Sequence, residues 1–198
     1  MTETTTISAM VRDRAGKGAA RATRRAGHIP GVIYGGKQPP ICISVEPKWL
    51  KIEMLKPGFL TRLFNIDLGK DGTHRTLPRD VQLDPVTDQP LHVDFMRVTG
   101  ESVVHVAVPV SFINEGLSPG LKRGGVLNIV RHEIELYCKP DDIPHSLVVD
   151  LAGLDIGDSV HISHIKLPAG ATPTITDRDF TVASVAAPTV TRGGEAGA

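Results

Sequence analysis

Residues Asp80–Val98 read DVQLDPVTDQPLHVDFMRV, and the division of this stretch decides the class of fold. From Leu91 to Val98 the side chains alternate. His92, Asp94 and Met96 fall on one side of an extended chain, and Val93, Phe95 and Arg97 on the other. That period predicts a strand over Leu91–Val98, and the β-branched run Thr73–Leu83 predicts another before it, with Asp and Pro residues marking the turn between them.

Working outward, the same pattern recurs along the chain. Strands are predicted at Thr5–Val11, Gly31–Tyr34, Ile41–Val45, Leu63–Leu68, Val103–Ile113, Val126–Cys138, Ser146–Asp150, Ser159–Ile162 and Asp179–Val185. Only two segments read as helices. Gly18–Ala26 is rich in Ala and Arg and is followed by Gly27 at a C′ position. Pro47–Gly58 opens on Pro, places Leu50, Met54 and Leu55 at spacings of four and five, and ends at Pro57-Gly58. So many strands with so little helix between them do not make a parallel βαβ sheet. They predict a mainly β chain, a small barrel followed by a β-rich second domain. Asn114–Val130, dense in Gly and Pro, reads as a long loop between strands.

The totals are consistent with packed cores: 198 residues, 40% of them hydrophobic. The formal charge is zero, but it is unevenly placed. Residues 1–100 hold fifteen Lys and Arg against ten Asp and Glu, and residues 101–198 hold seven against twelve. The sign changes near Thr99-Gly100-Glu101, which predicts a domain over 1–99, a second over 100–187, and a disordered tail over 188–198 with nothing to bury. Cys42 and Cys138 match no CxxC or zinc spacing and predict free thiols in a reducing compartment. The first residues, MTETTTISAM, have no basic or apolar signal region, and no stretch approaches a membrane span, so a soluble cytoplasmic protein is expected.

The densest charge lies in Arg12–Arg25, where Arg12, Arg14, Lys17, Arg21, Arg24 and Arg25 meet a single acid, Asp13. Clustered cations attract a phosphate backbone because each neutralised phosphate releases counterions. On a helix Arg21, Arg24 and Arg25 share one face, while Gly16, Gly18 and Gly27 permit close backbone approach. A solvated helix with scattered charges has the same composition. The segment is not a nucleotide loop: Gly18 follows Lys17, and no Ser or Thr stands at the metal position.

His92 and Asp94, two apart on one strand face, can form an acid–base pair, half of a metal site, or a donor and acceptor set for RNA sugars and base edges. No nucleophile, oxyanion motif or third ligand accompanies them, so they do not specify an enzyme. His161 and His164 form HxxH, which on a strand points the two rings to opposite faces, where they do not easily chelate one ion. Tyr34, in IYGG, can pack a ribose or stack on a base, and Trp49 reads as core.

Several of these motifs in order, VRDRAGKGAARATRRAGHIPGVIYGG, DVQLDPVTDQPLHVDFMRV, VAVPVSFINEGLSPGLKRGGVLNIV and GDSVHISHIKLPAG, resemble the bacterial large-subunit ribosomal protein family called L25. The match is to its longer two-domain form, the general stress protein CTC type, and covers Val11 to about Val185. The resemblance implies a non-catalytic protein of the 50S subunit that binds 5S rRNA at its internal loop E. The implied N-terminal barrel is similar to the anticodon-binding domain of glutaminyl-tRNA synthetase, and the β-rich C-terminal domain would lie against neighbouring ribosomal proteins and 23S rRNA. Matched motif by motif, the RNA-contacting positions fall on Arg12, Lys17, Arg21, Arg24, Tyr34, Asp80, His92 and Asp94. Ala20 stands where some relatives have Ser, removing one hydroxyl. No cofactor, metal or small-molecule substrate is implied.

Overall fold

The computed structural model describes residues 5–100 and 102–188. One compact unit comprises the described residues of Met1–Val108 with Glu135–His145 and Pro168–Thr174; the second comprises Pro109–Ile134, Ser146–Leu167 and the described residues of Ile175–Ala198. Residues 189–198 of the tail lie outside the described residues.

The first seven strands are β1 (Thr5–Ser8), β2 (Met10–Val11), β3 (Ile29–Tyr34), β4 (Ile41–Val45), β5 (Phe64–Asp67), β6 (Thr73–Leu83) and β7 (Pro90–Arg97), and two helices interrupt them, α1 (Lys17–Arg25) and α2 (Pro47–Leu55). They form one sheet in the order β1-β5-β6-β7-β3-β4-β2. The run expected as one strand, Thr5–Val11, is two, because Ala9 buries itself and donates its N–H to Asp67. Its halves pair with opposite ends of the sheet, Thr5 facing Phe64 in parallel and Met10 facing Ser44 antiparallel. Two edge strands one residue apart force the edges together, and the sheet curls into a nearly closed barrel.

The barrel is mixed rather than purely antiparallel, since β3 also runs parallel to β7 with Gly31 opposite Val93. A side chain at Gly31 would place a Cβ 2.8 Å from the Val93 carbonyl oxygen, so this central crossing requires glycine. Phe64, Phe95, Ile33, Ile43, Ile66 and Leu50 are fully buried inside, each contributing about 1.5–3 kcal/mol over an exposed position. Trp49 closes one side with its ring edge-on to Phe64, centroids 5.5 Å apart.

β6 and β7, both expected as strands, pair antiparallel as a hairpin. The Asp84 carboxylate accepts from the N–H groups of Val86 and Thr87 at 3.0 and 2.9 Å, which fixes the turn and holds its carboxyl below the ordinary range, Thr87 contributing most. Helix α2 departs from its predicted face. Leu50 is buried, but Leu55 is 86% exposed and Glu53 takes the inner position instead. The Glu53 carboxylate receives Arg62 at 2.8 Å and Lys56 at 2.5 Å, while Arg62 also donates to the Glu53 carbonyl. Burial pushes that carboxyl up, and the bonds from Lys56 and Arg62 outweigh burial and hold it low.

The remaining strands are β8 (Val104–Ile113), β9 (Val126–Ile129), β10 (Glu133–Cys138), β11 (Leu147–Asp150), β12 (Ser159–His161), β13 (Thr172–Pro173) and β14 (Thr181–Ala186). In the first unit β10 pairs with β13, burying Leu136 and Cys138 and exposing Glu135 and Tyr137. In the second, β11 runs parallel to β8 with Leu147 opposite Val110, and β12, β14 and β9 make a three-stranded sheet over Val160, Val182 and Val185.

Three expectations need correction here. Val126–Cys138 is not one strand: the N–H groups of Val130 and Arg131 both donate to the Val182 carbonyl, and this bend separates β9 from β10. Asn114–Val130 is not simply a loop, because Ser118 caps a short helix α3 (Pro119–Lys122) by accepting from Leu121, and the segment ends in β9. His161 and His164 do not both lie on a strand. A 3₁₀ turn carries His164 back, so that the rings sit 6.1 Å apart and the His161 N–H donates to the other ring. Both cysteines are free.

Candidate nucleic-acid interface

Helix α1 holds Lys17, Arg21, Arg24 and Arg25, no acid in its first turn, and no buried residue. It forms because Ala and Arg favour helix and because its end is closed tightly. Gly27, at φ +82°, donates to the Arg24 carbonyl at 3.0 Å and His28 donates to Thr23 at 3.1 Å, the paired bonds of a Schellman motif. Arg24 Nη1 donates to the Leu91 carbonyl at 3.0 Å and ties the helix to the start of β7. Lys17, Arg21 and Arg25 remain exposed.

Arg12 is placed differently from the other cations. It is half-buried, its Nε donating to Ile43 at 2.7 Å and its Nη2 to Gly31 at 3.3 Å, while Nη1 is buried without a partner among the described residues. Part of its donor capacity therefore positions the Asp13–Gly16 loop against the sheet. That loop and the first turns of α1 line a cavity of about 650 Å³.

Beside the helix, three adjacent strands bring the other expected residues together. His92 and Asp94 stand on β7, Asp80 lies opposite Asp94 on β6, and Tyr34 follows on β3. His92 Nδ1 lies 2.7 Å from Asp94 Oδ1. The register shifts at Arg79, so that Asp80 rather than Arg79 faces Asp94. One inserted residue thus replaces an attractive Arg–Asp pair by two adjacent carboxylates, an arrangement that disfavours the free protein. Arg79 turns instead to the His105 carbonyl.

Tyr34 is partly buried, and burial first, then the Asp94 and Asp80 charges, raises its hydroxyl pKa above the usual value. Its O–H is therefore a proton donor at neutral pH. The surface offers one phenol donor, one imidazole and two carboxylate acceptors in a row, with exposed cations along the neighbouring helix. Donors and acceptors in a row suit groove edges and sugar hydroxyls, and cations suit phosphates. Among the described residues no group of three His, Cys, Asp or Glu could hold a metal ion, and no helix is long and apolar enough to cross a membrane.

The sequence missed Gln82, which stands opposite His92 and extends the row, and Arg97, whose guanidinium reaches the Gly35 and Pro39 carbonyls and braces the loop after Tyr34. Period-two reading of Thr73–Leu83 could have found Gln82. Nothing local marked Arg97.

Comparison with known proteins gives consistent matches. Residues 7–95 match the Ribosomal L25p family and residues 103–189 match the C-terminal domain of ribosomal protein TL5. The large ribosomal subunit protein bL25 of Paramagnetospirillum magneticum is 59% identical over 192 residues, 97% of this chain and 95% of that protein. Its counterparts in Rhodospirillum rubrum and Novosphingobium aromaticivorans are 53% and 56% identical over 198 and 188 residues, covering 94% and 92% of those proteins.

Proposed function

The chain belongs to the ribosomal L25p family, and from that premise we propose that it is a non-catalytic protein of the large ribosomal subunit whose first 99 residues bind 5S rRNA at internal loop E. The observation that carries the reading is the placement of His92, Asp94, Asp80 and Tyr34 on three adjacent strands beside a helix with no buried side chain. Lys17, Arg21 and Arg24 neutralise phosphates and set register, and Arg12 adds charge while holding the loop. Tyr34, His92 and the two aspartates read sugar hydroxyls and base edges in a wide minor groove. A carboxylate repels phosphate, so Asp80 and Asp94 act as acceptors from 2′-hydroxyls or exocyclic amines, or orient His92.

Residues 100–187, with the acidic excess, contact neighbouring ribosomal proteins and 23S rRNA. The protein works on the ribosome in the cytoplasm. Hydroxyl-radical footprinting of 5S rRNA with the full chain tests the reading. Protection confined to the internal loop supports it, and protection spread over the molecule or absent contradicts it.

A further inference from the structure

Behind the C-terminal end of α1 lies a second cavity of about 230 Å³, lined by Arg24, His28, Lys51 and Gln89 between walls of Pro47 and Pro90. Liquid water occupies ~30 Å³ per molecule, so the space admits a tetrahedral oxyanion with solvent. Its charge distinguishes it. No carboxylate lines it, whereas the loop cavity includes Asp13 and those on either side of it include Asp88 and Glu46. Three elements contribute, α1 through Arg24, the following turn through His28 and α2 through Lys51.

Two further features favour an anion there. The Thr23 and Arg24 carbonyls at the negative end of α1 are already bonded by the N–H groups of His28 and Gly27, which damps the repulsion a helix C-terminus would exert. The His28 ring has a buried Nδ1 with no partner among the described residues, so this side chain is not engaged by the fold at that atom. The cavity also reaches the start of β7, since Leu91, which lines it and accepts from Arg24, directly precedes His92.

We infer that Arg24, His28, Lys51 and Gln89 form a seat for an RNA backbone phosphate, extending the interface from the His92–Asp94 edge around the end of α1 to α2. The inference rests on the proposed RNA-binding role. Lys51, which makes no ion pair among the described residues, supplies a cation, Arg24 the bridge, and the Gln89 amide a neutral donor.

The test is a salt titration of 5S rRNA binding with the full chain, its Lys51→Met, Lys51→Arg and Arg21→Ala variants, and phosphate-ethylation interference on the same RNA. Lys51 is exposed, so neither of its substitutions threatens folding. Lys51→Met should lower the slope of log affinity against log salt by about one, and Lys51→Arg should restore it. One phosphate whose ethylation weakens wild type but not Lys51→Met identifies the occupant. Unchanged binding by Lys51→Met, beside a lowered slope for Arg21→Ala, overturns the seat and leaves the RNA role standing. Failure of wild type to prefer 5S rRNA removes the role and the seat together.

Discussion

Helices α1 and α2 are each nine residues long, and they differ in what holds them. Helix α2 buries Leu50 and Glu53, and its Trp49 meets Phe64; helix α1 buries nothing and carries four cations. Short helices are marginal alone and normally persist by packing an apolar face. Helix α1 has only a narrow half-buried side, Ala19, Ala20 and Thr23, to which its closed end and the Arg24–Leu91 bond are added. One helix thus belongs to the core of this chain, and the other leaves its four cations on the surface.

The largest effects should come from α2. Leu50→Ala should lower unfolding free energy by about 4 kcal/mol in urea melts, because a fully buried side chain leaves a cavity at the barrel's side. No alanine substitution within α1 should approach that loss, and one that did would break the contrast.

Next comes Glu53→Gln, which leaves Arg62 largely buried without its counter-charge and should cost about 3 kcal/mol. Glu53 has a folded pKa below its unfolded value. Its ionic contribution is therefore present above the unfolded pKa and disappears as pH falls through the folded one. The gap between wild type and Glu53→Gln should be full at pH 7 and shrink below about pH 4. A gap independent of pH would mean that packing, not charge, matters there.

For α1 the expectation reverses. Arg21→Ala should change stability by no more than about 0.5 kcal/mol, yet lower the salt slope of 5S rRNA binding by about one. The strand face should respond in a third way: His92→Ala should leave that slope nearly unchanged and reduce the preference for 5S rRNA over tRNA, read by competition. Equal selectivity in His92→Ala and wild type would assign His92 to structure alone.

This contrast also explains what could be read from the chain in advance. The strands Thr73–Leu83 and Ile41–Val45 are found at their predicted limits, because alternation and turn residues are local signals. So is Gly27, whose position after an Ala- and Arg-rich run marks a helix end. The break at Ala9 was hidden, since a β-branched run says nothing about its halves pairing with opposite edges. Val130-Arg131 was hidden for a similar reason: no Gly or Pro marks a bend made by a carbonyl 52 positions away from Val130. Glu53 in a helix reads as surface until Arg62, nine residues on, is brought beneath it. At the site, alternation placed His92 and Asp94 on one face, but the bulge at Arg79 that sets Asp80 against Asp94 depends on how two strands register. Arg12 looked like its neighbours in composition and differs because two carbonyls lie within its reach.

We propose that the cationic helix and the adjoining strand face serve one specific RNA. A titration of the full chain with 5S rRNA, with tRNA as competitor at two salt concentrations, tests it most directly. Binding that survives excess tRNA and weakens steeply with salt is the predicted result. Displacement by tRNA at equal concentration would contradict it, leaving α1 as a basic surface without a particular partner.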